Sequence, residues 1–449
     1  MDIFVCSDCG NETTKWSGRC PSCGAWNTMR DAGRIIGKGK KRKSAASASV
    51  TEAEPFAAAD GEMKPRARSG IGELDTVLGG GVVPGMAVLV GGEPGIGKST
   101  LMLQMASRLA SAKQPALYVS GEESAQQIRL RGLRLGIETE ELFLLCSGNL
   151  QHVEQEIARL RPGLLVIDSI QAMQNPDVES APGSMSQMRE CTARLVRLAK
   201  DNDLPTFLVG HVTKEGMVAG PRIVEHMVDT VLYFEGEGHL KILRAQKNRF
   251  GSTNEIGVFE MRADGLHEIA DPSGIFLHGL DHAPGVAVGG MMEGSRAFLV
   301  EVQSLVTPAS YGTPQRVSIG YDPKRLSVAL AVLEKFLAIN LRQHDVFLNL
   351  AGGLRTRDPA LDLAVAAAVV SGFRDKPLPR GTVLLGELGL GGEVRPVSQA
   401  ARRVNEAAKL GFKRVLLSPR AKASADKLEI VAVEHLSGLF AAIDSGVQR

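Results

Sequence analysis

Hydrophobic and polar positions along this chain follow two periods, and the switching between them outlines its architecture. Short apolar runs at residues 86–90, 116–120, 142–146, 164–167 and 206–209 have the length and flanks of buried strands. Between them lie amphipathic stretches with helical spacing, at 99–112, 125–135, 150–160 and 185–202. Strand–helix alternation of this kind predicts a parallel sheet covered on both faces, in a region running from 64 to 270. Three later β-rich segments, 230–234, 240–245 and 255–261, lack obvious intervening helices and are expected to extend the sheet antiparallel. A further α/β region covers 271–449, with strands expected at 297–302, 315–319 and 346–350 and helices at 326–339 and 361–372. Residues 31–63 carry no apolar periodicity. Rich in Gly, Lys, Ser and Ala, they read as a flexible linker behind a small domain at 1–30.

The chain's 449 residues suit about two to four domains. Its 44% hydrophobic and 23% charged residues are those of an ordinary globular protein, and the net charge of +2 leaves any basic surface to be local. No apolar run reaches the ~18 residues that span a bilayer, and the first residues lack a secretory pattern. No membrane association is expected, and a cytoplasmic location is the default. Four of six cysteines fall before residue 24, which suits one metal site in a reducing compartment rather than a disulfide framework.

Candidate chemistry begins right after the first strand. Gly92, Glu93, Pro94, Gly95, Ile96, Gly97, Lys98 and Ser99 satisfy G-x-x-x-x-G-K-[ST], with a helix expected next. Backbone N–H groups of such a loop wrap phosphates, and the helix N-terminus adds a favourable dipole. Lys98 is expected beside the β- and γ-phosphates of ATP, and Ser99 on Mg²⁺. Asp168 ends the apolar strand 164–167 and reads as the carboxylate that holds the magnesium's water ligands. Glu122 and Glu123 follow the strand 116–120. One could orient the attacking water while the other caps the next helix, with Glu122 favoured as base. His211, at the end of a strand entering a polar loop, could sense the γ-phosphate.

Near the N-terminus, Cys6, Cys9, Cys20 and Cys23 form two C-x-x-C pairs, each followed by glycine. Two-residue spacing lets both thiolates of a pair reach one tetrahedral ion, so the four predict a structural Zn²⁺ with no open coordination position. The basic run Lys38, Lys40, Lys41, Arg42 and Lys43 could touch nucleic acid, although a solvated charge run is the plainer reading.

Lys247-Asn248-Arg249-Phe250-Gly251, together with the cysteine finger and the phosphate loop, resembles the bacterial RadA (Sms) DNA repair family over essentially the whole chain. The resemblance implies an α/β fold with an N-terminal zinc ribbon, a RecA-like P-loop ATPase core and a Lon-protease-like C-terminal domain. It further implies a DNA-dependent ATPase that forms a hexameric ring. Such an enzyme promotes branch migration or unwinding of single-stranded and branched DNA alongside the RecA recombinase. Carried over, Gly92 to Thr100 bind ATP, and Lys247 and Arg249 reach toward a neighbouring subunit's nucleotide or toward DNA. A regulatory ring ATPase of the circadian-clock type, acting on protein partners, is the alternative; the finger and the pentapeptide argue against it.

The Lon-like peptidase motif is incomplete here. Asp358-Pro359-Ala360 has no serine where the nucleophile belongs, and alanine stands in the 400–401 pair where a lysine base is expected. A Ser–Lys dyad needs both groups within hydrogen-bond reach, so the domain is expected to be non-proteolytic. Its basic residues, among them Arg355, Arg357, Arg402, Arg403, Lys409, Lys413 and Arg414, could face DNA phosphates instead.

Overall fold

The computed structural model describes residues 4–6, 12–22, 24–31, 65–211, 219–236, 240–269, 273–277, 283–309, 313–353, 355–426 and 428–444. Cys9, Cys23, the expected linker and its basic run (apart from Asp31, which ends a strand) lie outside the described residues. Tertiary contacts divide the chain into two compact units, Met1–Glu268 and Ile269–Arg449.

The first unit opens with a small ribbon in which β1 (Phe4–Cys6) pairs antiparallel with both β2 (Glu12–Thr13) and β3 (Met29–Asp31). After α1 (Gly72–Leu78), β4 (Ala87–Gly92) starts a nine-stranded sheet and runs into α2 (Lys98–Leu109). Alternation continues through β5 (Ala116–Ser120), α3 (Ala125–Arg134), β6 (Leu142–Cys146), α4 (Leu150–Leu160) and β7 (Leu164–Asp168). Then come α5 (Met185–Asp201), β8 (Thr206–Val209), α6 (Ala219–Met227), β9 (Thr230–Glu235), β10 (Leu240–Asn248), β11 (Ile256–Arg262) and β12 (Gly265–Glu268). The strand order is β12-β11-β10-β9-β4-β8-β7-β5-β6.

Alternate residues of each central strand enter opposite cores. Val88 and Val90 of β4, Tyr118 of β5 and Val166 of β7 pack with Leu74, Leu101 and Met105 on one face. Leu89, Leu117, Val119 and Ile167 pack with Val153, Cys191 and Leu195 on the other. Because both faces are covered, these strands read as continuous apolar runs, which is why they stand out in the sequence.

One expectation needs correcting. β9 does not extend the sheet antiparallel: it pairs parallel with β4, Val88 opposite Thr230 and Gly92 opposite Phe234. The crossover is α6, whose opening Ala219-Gly220-Pro221 resembles a loop, although proline is tolerated in a helix's first turn. Only β10, β11 and β12 join antiparallel.

The second unit is also α/β. Its seven-stranded mixed sheet contains β13 (Val286–Glu293), β14 (Arg296–Pro308), β15 (Arg316–Ile319), β16 (His344–Leu350), β17 (Thr382–Leu385), β20 (Arg414–Leu417) and β21 (Glu429–Ala432). The hairpin β18 (Glu387–Leu388) and β19 (Val394–Arg395) stands apart from it. The helices are the short α7 (Ser273–Phe276), α8 (Pro323–Leu337), α9 (Asp362–Arg374), α10 (Ala400–Lys409) and α11 (Leu436–Asp444). The alanine-rich α9 is buried from Asp362 to Ser371, against β13 and β14.

Candidate nucleotide site

The central strands β4, β8, β7 and β5 run parallel, so their C-terminal ends share one edge: Ser120 sits opposite Asp168, and Asp168 opposite Val209. The turn from β4 into α2 is the glycine-rich loop. Its geometry demands glycine at two positions. Gly92 has φ +150°, and a Cβ there would lie 2.7 Å from the Phe234 carbonyl oxygen. Gly97 has φ +119°, and a Cβ would meet Met261 Cε at 2.7 Å. Ile96 is buried and anchors the loop in the core.

Lys98 opens α2 and is almost wholly buried. Its ammonium donates to two carbonyls of its own loop, Gly92 O and Glu93 O, each at 2.8 Å. Burial pulls its pKa down to about 8, against the upward pull of Asp168 and Glu122. Around it lies a cavity of about 460 Å³ lined by Ser99, Thr100, Glu122, Asp168 and His211 among others.

The acids differ sharply in their partners. Tyr118 Oη donates to one oxygen of Asp168 at 2.5 Å, and burial and that carboxylate keep the phenol protonated, its pKa raised well above the usual value. Glu123 is held bidentately by Arg131, at 2.8 and 2.5 Å, and the pair raises the guanidinium pKa. Exposed Glu122 accepts one hydrogen bond, from Ser169 Oγ at 2.5 Å. His211 borders the same cavity with its pKa lowered by burial and by Lys98, and its buried Nδ1 has no hydrogen-bond partner. The structure thus gathers the phosphate loop, Asp168, Glu122, Glu123 and His211 at one sheet edge. Sequence reasoning missed Tyr118, Arg131 and Ser169. Tyr118 carried no signal because it sits mid-strand in an apolar run, whereas the serine beside Asp168 and the basic face of α3 were visible in principle.

Lys247 and Arg249 lie elsewhere. Asn248 pairs with Thr230 at the start of β9, whereas the loop follows Gly92 opposite Phe234, so a strand's length separates them, roughly 13 Å. Lys247 Nζ donates to the carbonyls of Glu225, His226 and Val228 at 3.0, 3.3 and 2.7 Å, closing the C-terminus of α6. The Arg249 side chain is 57% exposed and reaches buried Asp229 at 3.2 Å.

In the ribbon, Cys6 and Cys20 come from different C-x-x-C pairs yet are buried in one small cluster with Met29, beside Phe4. Two thiols converging from separate pairs fit a shared zinc site; the other two expected ligands, Cys9 and Cys23, lie outside the described residues. In the second unit, Ala360, where a nucleophile would stand, is fully buried. Arg403 is not a surface cation, contrary to expectation: it is 1% exposed, paired with Asp358 at 2.7 Å and donating to Gly290 O at 2.7 Å. The amphipathic period of α10 turns it inward, where a guanidinium is tolerated only because carboxylate and carbonyls surround it. The Arg414 side chain is also mostly buried, 3.3 Å from Glu429.

Comparison with known proteins agrees with this geometry. A family model described as an AAA domain matches residues 53–217, a rubredoxin metal-binding (zinc ribbon) model matches 4–31, and a model of the ChlI subunit of magnesium chelatase matches 321–421. The DNA repair protein RadA of Halalkalibacterium halodurans is 49% identical over 420 residues, 92% of each chain. RadA of Listeria monocytogenes is 50% identical over 419 residues, 92% of this chain and 91% of its own. RadA of Streptococcus pyogenes is 48% identical over 451 residues, 98% of each. The chain therefore belongs to the RadA family of DNA repair proteins: a zinc ribbon, a RecA-like ATP-binding core and a Lon-like C-terminal domain.

Proposed function

We propose that this protein is a DNA-dependent ATPase that drives branch migration or unwinding of recombination intermediates together with a recombinase, working as a hexameric ring. The observation that carries the hydrolytic part is the convergence of Lys98, Asp168 and Glu122 on one cavity while Glu123 is held by Arg131. Polyphosphate displaces the Lys98 ammonium from the loop carbonyls, and the loop amides and the start of α2 take up the remaining charge. Glu122, with only a serine hydroxyl on its carboxylate, orients and deprotonates the attacking water. Tyr118 fixes one oxygen of Asp168 and leaves the other available. Ser99 and Asp168 are the residues that would hold Mg²⁺, which neutralises phosphate charge when bound.

The RadA relatives support the DNA-directed part of this reading. The position of Arg249, exposed and distant from its own chain's phosphate loop, supports a role toward a neighbouring chain or DNA. Cys6, Cys9, Cys20 and Cys23 hold one Zn²⁺, and the C-terminal domain is non-proteolytic. Steady-state ATPase with and without single-stranded DNA, beside a three-strand branch-migration assay and a casein control, is the test. Stimulated hydrolysis with strand movement and intact casein is expected; hydrolysis indifferent to DNA would turn the reading toward a ring acting on protein partners.

A further inference from the structure

The chain has two tryptophans, and both sit in the ribbon: Trp16 is 62% exposed and Trp26 70%. Large aromatic side chains are ordinarily buried, so two in the open within one small motif call for a partner. They are held together. Arg19 and Trp26 face each other across an antiparallel bridge, Cys20 N donates to Ala25 O and Asn27 N donates to Gly18 O, each at 2.8 Å. A Cβ built on Gly18 would lie 3.9 Å from Trp16 Cη2 and 4.0 Å from Trp26 Cζ3, so both rings border this one position.

Cations accompany the rings, in a ribbon whose sequence also carries Asp8, Glu12 and Asp31. The Arg19 guanidinium lies 5.9 Å from the Trp26 ring centroid, and Lys15, Arg19 and Arg30 are exposed. Flat aromatic faces interleaved with cations are the chemistry that binds unpaired bases and their phosphates together. A duplex hides its base faces by internal stacking, and an apolar protein partner would not call for the cations.

We propose that Trp16 and Trp26 form a stacking platform for the bases of single-stranded nucleic acid, with Lys15 and Arg19 answering the neighbouring phosphates. The inference rests on the DNA-directed reading above for the choice of DNA as the polymer.

The two tryptophans make the test direct, because indole emission from the full-length zinc-loaded protein can arise only from this platform. Excited at the red edge, where tyrosine does not absorb, the protein is titrated with short oligo(dT) while a labelled copy reports binding by anisotropy. Quenching that parallels binding is expected, with an abasic oligomer of equal length binding without quenching. Trp16→Ala and Trp26→Ala should each weaken oligo(dT) binding roughly tenfold, at unchanged zinc content and unfolding midpoint. Binding or DNA-stimulated ATPase with unaltered emission overturns the platform alone. Equal quenching by the abasic oligomer also overturns it, and so does full affinity in both variants. Emission that answers duplex DNA or a purified recombinase but not oligo(dT) overturns it and assigns the face to that partner. Neither binding nor ATPase stimulation by any DNA overturns the platform and the DNA-directed reading together.

Discussion

Glu122 and Glu123 are adjacent in sequence, yet the structure gives them different partners. Glu123 is committed to Arg131, whereas Glu122 carries a single hydroxyl donor. Glu122→Gln should therefore retain ATP binding while losing about 10²–10⁴-fold in turnover. Glu123→Gln, which loosens Arg131 without touching the water, should lose less than about tenfold, well below the loss of a base. Equal losses in single-turnover hydrolysis would remove the distinction. Lys98 supplies a pH dependence. Its pKa in the nucleotide-free chain is lowered to about 8, and a bound polyphosphate raises it again, so binding near that pH takes up a proton. ATP affinity should be greatest below about pH 8 and fall as pH rises through it, by up to about tenfold per unit. Calorimetry in buffers of different ionisation enthalpy measures that uptake directly. Lys98→Arg, charged throughout this range, should abolish the dependence. For folding the sign is opposite in origin: the depressed pKa means that burying the cation costs stability below pH 8, and the cost eases as pH rises toward the free lysine value.

Within the elements, K-N-R-F-G separates into an internal part and an outward part. Lys247 closes α6 through three carbonyls, and hydrogen bonds from a charged group are worth about 1.5–3 kcal/mol. Lys247→Ala should thus lower unfolding stability by about that much, by chemical denaturation of the full chain. Arg249→Ala removes a mostly exposed side chain and should change stability by less than ~1 kcal/mol while sharply reducing DNA-stimulated ATPase. The pentapeptide's letters alone offered no means to tell these roles apart. What the sequence did make legible were features imposed by strong local physics: apolar runs of doubly covered strands and glycines required by loop sterics. The parallel entry of β9 was hidden by the proline-bearing start of α6. The inward turn of Arg403 was hidden too, because a lysine or arginine on an amphipathic helix normally marks the wet face.

Across the whole molecule, the arrangement of β4, β9 and β10 sets the phosphate loop and Arg249 at opposite ends of the same strands. Chains carrying Lys98→Ala and chains carrying Arg249→Ala should each be nearly inactive, yet mixtures should regain single-site hydrolysis where an intact loop meets an intact Arg249. No recovery in demonstrated mixed rings would return Arg249 to a DNA contact. On the proposed role of Arg249 toward a neighbouring chain, the same separation would make the enzyme sensitive to dosage. A solitary chain can load ATP but holds only one side of the proposed cleavage site, so on dilution specific activity should collapse while nucleotide occupancy persists. At low abundance the protein would idle with its fuel aboard, and hydrolysis would begin only where enough copies had gathered, which would make local crowding on damaged DNA the ignition.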